Sequence, residues 1–167
     1  MRRSSGLAAA AVAVFLGACQ ATPAPRPARP VARPAGRAVL LRLPTAPRVT
    51  APACPDALPA GVPRRVGDGL AEALRAAGFT VVEDAAAPHG FVAVVDVEVR
   101  YCNADVGLVN GVVGLDLQRA GVRVRQSVAE GELSTPSPVA SIARDVVDVL
   151  IHDSAVIAAV DAAGAGG

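Results

Sequence analysis

The sequence predicts an α+β fold: a mostly antiparallel sheet of four to five strands with two helices on one face, in the order β-α-β-β-β-β-α. Three observations predict it. Residues 91–101, FVAVVDVEVRY, alternate: Phe91, Ala93, Val95, Val97, Val99 and Tyr101 form one face, while Asp96, Glu98 and Arg100 sit on the other. Val62, Val66, Leu70, Leu74 and Ala77 recur at helical spacing, with Arg65, Asp68, Glu72 and Arg75 off that stripe. Two further strand-like segments, 106–118 and 122–133, follow with no helix between them and are joined by Arg119-Ala120-Gly121, where Gly121 suits a positive-φ turn position.

Taken in order, AVLLRLP at 38–44 is the first strand, closed by Pro44. The proline-punctuated segment 45–63 is long for a connection in a compact domain, so it is expected to be functional or draped over the surface. The first helix stops at Gly78, and Phe79 to Glu83 forms a short strand. Gly107, Gly111 and Gly114 weaken the strand at 106–118 and predict a bulge or a close approach there. Residues 134–163 read as a single helix of about 25 residues, with Ser137 as N-cap and Pro138 at its first position. Its expected buried stripe is Ile142, Val146, Val149, Leu150, Ile157 and Val160. Phe79, Phe91 and Tyr101 are the only aromatic residues after residue 18, so the core must be built from Val, Leu and Ala.

The first residues follow a different logic. Met1-Arg2-Arg3 precedes an apolar run that ends in small residues, the pattern of an export signal. The run is too short for a spanning helix, which needs about 20 residues. Leu16-Gly17-Ala18-Cys19 resembles the bacterial lipobox. The resemblance implies that Cys19 is acylated on its sulfur and becomes the new N-terminus, held in membrane lipid. An ordinary signal peptide with an incidental cysteine is the alternative. The expected organisation is a signal peptide at 1–18, then a lipidated cysteine and Pro/Arg-rich tether at 19–37. A single α+β domain at 38–163 and a flexible tail at 164–167 follow.

Residues 20–37 carry a proline every two to four positions, which removes backbone donors and favours an extended polyproline conformation. This segment is expected to be disordered and, at ~3.1 Å per residue, to hold the body roughly 50 Å from the lipid. All 16 basic residues are Arg, and they are unevenly placed. Six (26, 29, 33, 37, 42 and 48) lie between Cys19 and Arg48 with no acid among them, whereas residues 49–167 hold eight Arg and all 15 acids. A basic arm thus carries an acidic body. Each arm Arg contributes about 1 kcal/mol of attraction to an anionic leaflet if it lies at the surface; keeping the linker solvated is the plainer role.

The order strand, helix, strands, C-terminal helix behind a tether, with LRLPTAP and GLAEALRAAGFTVVED feeding a strand, resembles small assembly lipoproteins of Gram-negative bacteria. These are the lipopolysaccharide-assembly lipoprotein, the penicillin-binding-protein activator lipoproteins and the N-terminal domain of TolB. No motif beyond the lipobox matches, so the resemblance transfers no functional residue to the body.

Cys54 and Cys102 are the remaining cysteines, and an exported chain meets an oxidising compartment, so a disulfide between them is expected. His152, Asp153 and Ser154 spell the letters of a serine triad, but neighbours on a helix point apart. His89 reads as a turn residue. Asp96, Glu98 and Asp116 could bring two carboxylates together for acid/base work, but alternation on a solvated sheet face explains them without chemistry and is the preferred reading. Two histidines and two distant cysteines fit no strong zinc pattern, and there is no phosphate-binding glycine loop. Arg119, Arg123 and Arg125 form a basic hairpin tip without interleaved aromatics, which gives no support for nucleic-acid binding.

The expectation is therefore an envelope lipoprotein with no catalytic residues, cofactor or metal, whose partners are membrane lipid through Cys19 and an envelope protein. Gln20 after the cysteine is similar to lipoproteins sent on to the outer membrane, facing the periplasm. The expected binding surface is the sheet face opposite the helices, or an exposed edge open to strand addition. Two rivals remain: a small-ligand or lipid carrier with 106–115 lining a pocket above ~300 Å³, and a hydrolase with a carboxylate site.

Overall fold

The computed structural model describes residues 37–52 and 54–164. The signal segment, Cys19 and residues 20–36 lie outside the described residues. Among the described residues the chain runs β1 (Ala38–Arg42), β2 (Arg48–Val49), α1 (Val62–Ala76), β3 (Thr80–Val82), β4 (Phe91–Asn103), β5 (Leu108–Arg119), β6 (Val122–Glu132), α2 (Pro136–Ile151) and α3 (Ser154–Gly164). The sheet order is β3-β1-β4-β5-β6, and β2 pairs with β4 beyond the end of β1.

The α+β class holds, but the sheet is mixed. β1 is parallel to both β3 and β4, and β2 is parallel to β4; only β4-β5-β6 is an antiparallel meander. The reason is that α1 is a crossover helix, the connection that joins neighbouring parallel strands. Residues 83–90 then carry the chain back past β1, so β3 and β4 are consecutive in sequence but not adjacent in the sheet. The Gly90 N–H donates to the Ala38 carbonyl at 2.9 Å and pins that return.

The helical stripe of α1 is buried at Val62, Val66, Leu70 and Leu74, and it packs in one core with Phe91, Ala93, Val95, Val97 and Val99 of β4. Phe79 and Phe91 meet edge to face with centroids 6.3 Å apart, a pair worth about 0.5–1.5 kcal/mol beyond the area it buries. Gly78, at φ +90°, ends the helix. The Phe79 N–H donates to Leu74 and the Gly78 N–H to Arg75, both at 3.0 Å, which satisfies the last carbonyls.

The expected single C-terminal helix is two helices. α2 begins after Thr135, with Pro136 rather than Pro138 at its first position, so Ser137 is not the N-cap. It ends at Ile151, because Asp153 turns its carboxylate onto the next backbone. Its Oδ1 accepts from the N–H groups of Ala155 at 2.9 Å and Val156 at 3.4 Å, making it the N-cap of α3. The break resets the phase for α3, while within α2 the buried stripe already runs through Val139, Val146 and Val147 and leaves Val149 outside. Val149 and Ile157, expected inside, are each 48 % exposed, and Val139, Val147 and Val156 are buried instead.

The β4–β5 ladder contains the feature that decides where the far end of the sheet points. Val99 pairs with Gly111, but Tyr101 pairs with Asn110, leaving Arg100 as an extra residue. Beyond this bulge the alternation inverts. Tyr101, expected in the core, is 49 % exposed on the outer face, and Cys102 takes the inner position opposite Val109. Gly111 makes the bulge possible: a Cβ there would run into the Glu98 carbonyl oxygen and come to 3.0 Å from Leu133 Cδ1. A second extra residue, Val124, shifts the β5–β6 ladder. That hairpin closes on Ala120 and Gly121, at φ 50° and 78°, the two positive values a two-residue type I′ turn needs.

These contacts separate two glycines on one strand. Gly111→Ala should destabilise the protein by about 1–3 kcal/mol, because backbone must move to admit the methyl. At Gly114 a Cβ meets nothing nearer than Asp96 Cβ at 3.6 Å, so Gly114→Ala should change stability by less than about 0.5 kcal/mol. Paired denaturant melts measure both. Equal effects at the two positions would refute the close approach at Gly111.

Candidate functional site

The helices pack against the odd-numbered residues of β4 and β5, so the even-numbered residues present the other face of the sheet. Across it run Val92, Val94, Asp96 and Glu98 of β4; Val112, Gly114, Asp116 and Gln118 of β5; and Gln126, Val128 and Glu130 of β6. Half-buried Val92, Val94 and Val112 and exposed Val128 are therefore interspersed with charged side chains.

The charges are paired. Arg48, carried by β2 at the margin of this face, reaches Glu98 at 2.6 Å and Asp96 at 3.7 Å. Arg100 bridges Glu98 at 3.3 Å and Glu130 at 3.5 Å. Arg123 grips Asp116 with two nitrogens, each at 2.9 Å, and the Gln118 amide adds a bond at 3.0 Å. The Thr50 hydroxyl donates to Glu98 at 3.2 Å. Exposed pairs of this kind contribute little stability each, about 0–1 kcal/mol. Their effect is to fix the side chains that frame the face.

This arrangement lowers the pKa of two of the three carboxylates that the sequence singled out, Glu98 and Asp116. The hydrogen bond from Arg100 holds Glu98 below the usual carboxylate range, with Thr50 and Arg48 acting the same way against partial desolvation. The hydrogen bonds from Arg123, aided by Gln118, do so for Asp116. Both are held ionised, the opposite of what a general acid needs.

At the far end of the sheet the proline-rich segment is strapped to β4. The N–H groups of Thr50 and Ala51 both donate to the Val99 carbonyl, at 2.9 and 3.3 Å. Cys54 and Cys102 are joined, with Cα atoms 5.2 Å apart across a separation of 48 residues. Closing a loop of that length is worth about 4 kcal/mol in the chain-entropy account. Three of the six arginines assigned to the basic arm belong to the body: Arg37 packs beside Phe79 and Val160, Arg42 ends β1, and Arg48 is an ion-pair partner in β2.

The remaining candidates are structural. His89 Nδ1 lies 2.7 Å from the Ala87 carbonyl oxygen within its turn. His152 Nδ1 lies 2.8 Å from the Asp148 carbonyl oxygen, Asp153 caps α3 and pairs with Arg125 at 3.3 Å, and Ser154 is exposed. Arg119 donates to the Ala159 carbonyl at 2.9 Å, tying the hairpin to α3. Among the described residues no group of three His, Cys, Asp or Glu side chains is placed to hold a metal ion. Nor is any helix long and apolar enough to cross a membrane. Open hollows of about 180 Å³ beside Phe79 and Val160, and of about 310 Å³ between Leu41 and Ala71, are not lined by residues 106–115.

No family model and no curated protein matches the chain. Among solved structures, the chain is similar to the PelC dodecamer from Paraburkholderia phytofirmans, at 22 % identity and a TM-score of 0.48, covering 72 % of this chain and 89 % of that one. It is also similar to a homolog of neuraminyllactose-binding hemagglutinin from Helicobacter pylori, at 10 % identity and a TM-score of 0.43, covering 80 % and 91 %. Neither likeness bears on the chemistry of the face described above.

The downward shifts have a definite sign. The pairs add stability above the unfolded carboxyl pKa and lose it as pH falls through the lower folded value. Asp116 should therefore titrate below the ordinary aspartate value of about 3.9, and Arg123→Gln should raise its midpoint. Carboxyl-carbon NMR reads both. An unchanged midpoint in the variant would show that Arg123 does not hold Asp116 ionised.

Proposed function

We propose that this chain is a lipid-anchored lipoprotein of the cell envelope, held by acylated Cys19 and most consistent with the outer membrane facing the periplasm. Its α+β body is a non-enzymatic binding or assembly module. The observation that carries the reading is the lipobox-like Leu16-Gly17-Ala18-Cys19 after an apolar export run. The other two cysteines are joined to each other, which suits an oxidising compartment and leaves Cys19 as the thiol available for lipid. The prolines and arginines that follow act as a spacer, letting the body reach a partner away from the lipid surface.

The docking surface is the sheet face opposite the helices. It offers what a protein partner recognises: apolar positions at Val92, Val94, Val112 and Val128, and fixed charges of both signs around them. Asp96, Glu98, Asp116 and Glu130 on that face are each paired with arginine, which argues for recognition over acid/base chemistry.

The anchor is tested by Cys19→Ser in the full-length protein. The unlipidated chain should move to the aqueous phase on detergent partitioning, while the wild type stays with the detergent. Equal retention of both in the detergent phase would overturn the lipoprotein reading.

A further inference from the structure

β6 is the long edge of the sheet, with 11 residues, whereas the opposite edge, β3, has only three. Among the described residues no strand pairs with its outer side. Long edges are usually blunted by proline, by a bulge, by a covering element or by scattered charge, and the one bulge of β6, at Val124, leaves 125–132 regular. β6 has no proline, and its charges are sorted: Arg123 and Arg125 in the first half, Glu130 and Glu132 in the second. Run antiparallel to itself, such a strand sets its basic half against its acidic half. We propose that β6 pairs with β6 of a second copy about a two-fold axis at Val128, joining the two sheets into one.

The register follows from the facing of the side chains. Gln126, Val128, Glu130 and Glu132 share the outer face, being paired with Asp116, Gly114, Val112 and Asn110. The bulge at Val124 brings Arg123 onto the same face, opposite Gln118. Outer residues must meet outer residues, or every side chain changes faces. Centring on Val128 satisfies that rule: Val128 meets Val128 of the second copy, Gln126 meets Glu130, and beyond the bulge Arg123 meets Glu132 at both ends.

Two local facts favour this centre. Val128 is 56 % exposed, and its neighbour on β5 is Gly114, which has no side chain to cover it. Glu132 makes no ion pair among the described residues, so its charge is available to Arg123 of the second copy. On the inner face the pairing brings together Ser127 and Ala129, both small, leaving room for the two helical layers on one side. The inference does not rest on the anchor, and it shares Val128 with the proposed docking face, which the joined sheets would extend.

Single cysteines in the full-length chain carrying Cys19→Ser test it, since that change removes the third thiol and the native Cys54 and Cys102 are already joined. Directly opposed strand residues lie within disulfide range, so Val128→Cys should form an intermolecular disulfide under mild oxidation. Glu72→Cys, exposed on α1 and remote from the edge, should not. Mixing Gln126→Cys with Glu130→Cys chains should crosslink them to each other more than either to itself. Arg123→Glu should weaken dimerisation about tenfold, two cross-strand pairs being lost, and Glu132→Arg in the same chain should restore it. A monomer by sedimentation, or Val128→Cys crosslinking no faster than Glu72→Cys, would overturn the proposal. So would a 126–130 mixture that shows no preference.

Discussion

In the middle of the β4–β5 ladder, the Glu98 carbonyl oxygen lies where any residue other than glycine would carry its Cβ at position 111. That approach accompanies the extra residue Arg100 in β4, and everything further along the strand follows from it. Without the bulge, Cys102 would continue on the outer face with Glu98 and Arg100, and Cys54 could not reach it from the core side. With it, Cys102 turns inward, the disulfide closes, and the proline-rich segment is fastened across the end of the sheet. The Val99 carbonyl, just before the bulge, accepts from both Thr50 and Ala51 and secures the same segment by backbone contacts.

The fastened segment in turn builds the face. Arg48 is carried to Glu98 and Asp96 only because β2 lies alongside β4. Arg100, the bulged residue itself, reaches both Glu98 and Glu130 and so links β4 to β6 across β5. The outer face is thus organised from its end. Its charged frame depends on backbone geometry more than on ion-pair strength, which is small for exposed pairs.

The parts of this fold legible in the sequence are those set by local periodicity. The alternation of β4, the apolar stripe of α1 and the Gly121 turn each read directly, because one buried face dictates the spacing. Parallel pairing of β1 was not legible, since an eight-residue return such as 83–90 looks like a hairpin loop in sequence. β2 is two residues long, too short to leave a pattern. The phase error at Tyr101 shows the limit of alternation: one extra residue reverses every later assignment. Gly111 is the available signal: the glycines of its strand predict a bulge or close approach but not which neighbour shifts. The helix break had a signal too. Asp-Ser after His152 has the chemistry of an N-cap, but an uninterrupted apolar stripe concealed it. On the candidate surface, the residues Asp96, Glu98 and Asp116 were identifiable. Their arginine partners were not, because Arg48 and Arg123 reach them only through register and strand order.

The most direct measurement is the cross-strand pattern of backbone NOEs in the β4–β5 ladder of the full-length protein. The account predicts contacts between Val99 and Gly111 and between Tyr101 and Asn110, with Arg100 skipped and Cys102 opposite Val109. A regular ladder, with Arg100 opposite Asn110 and Tyr101 opposite Val109, would contradict it.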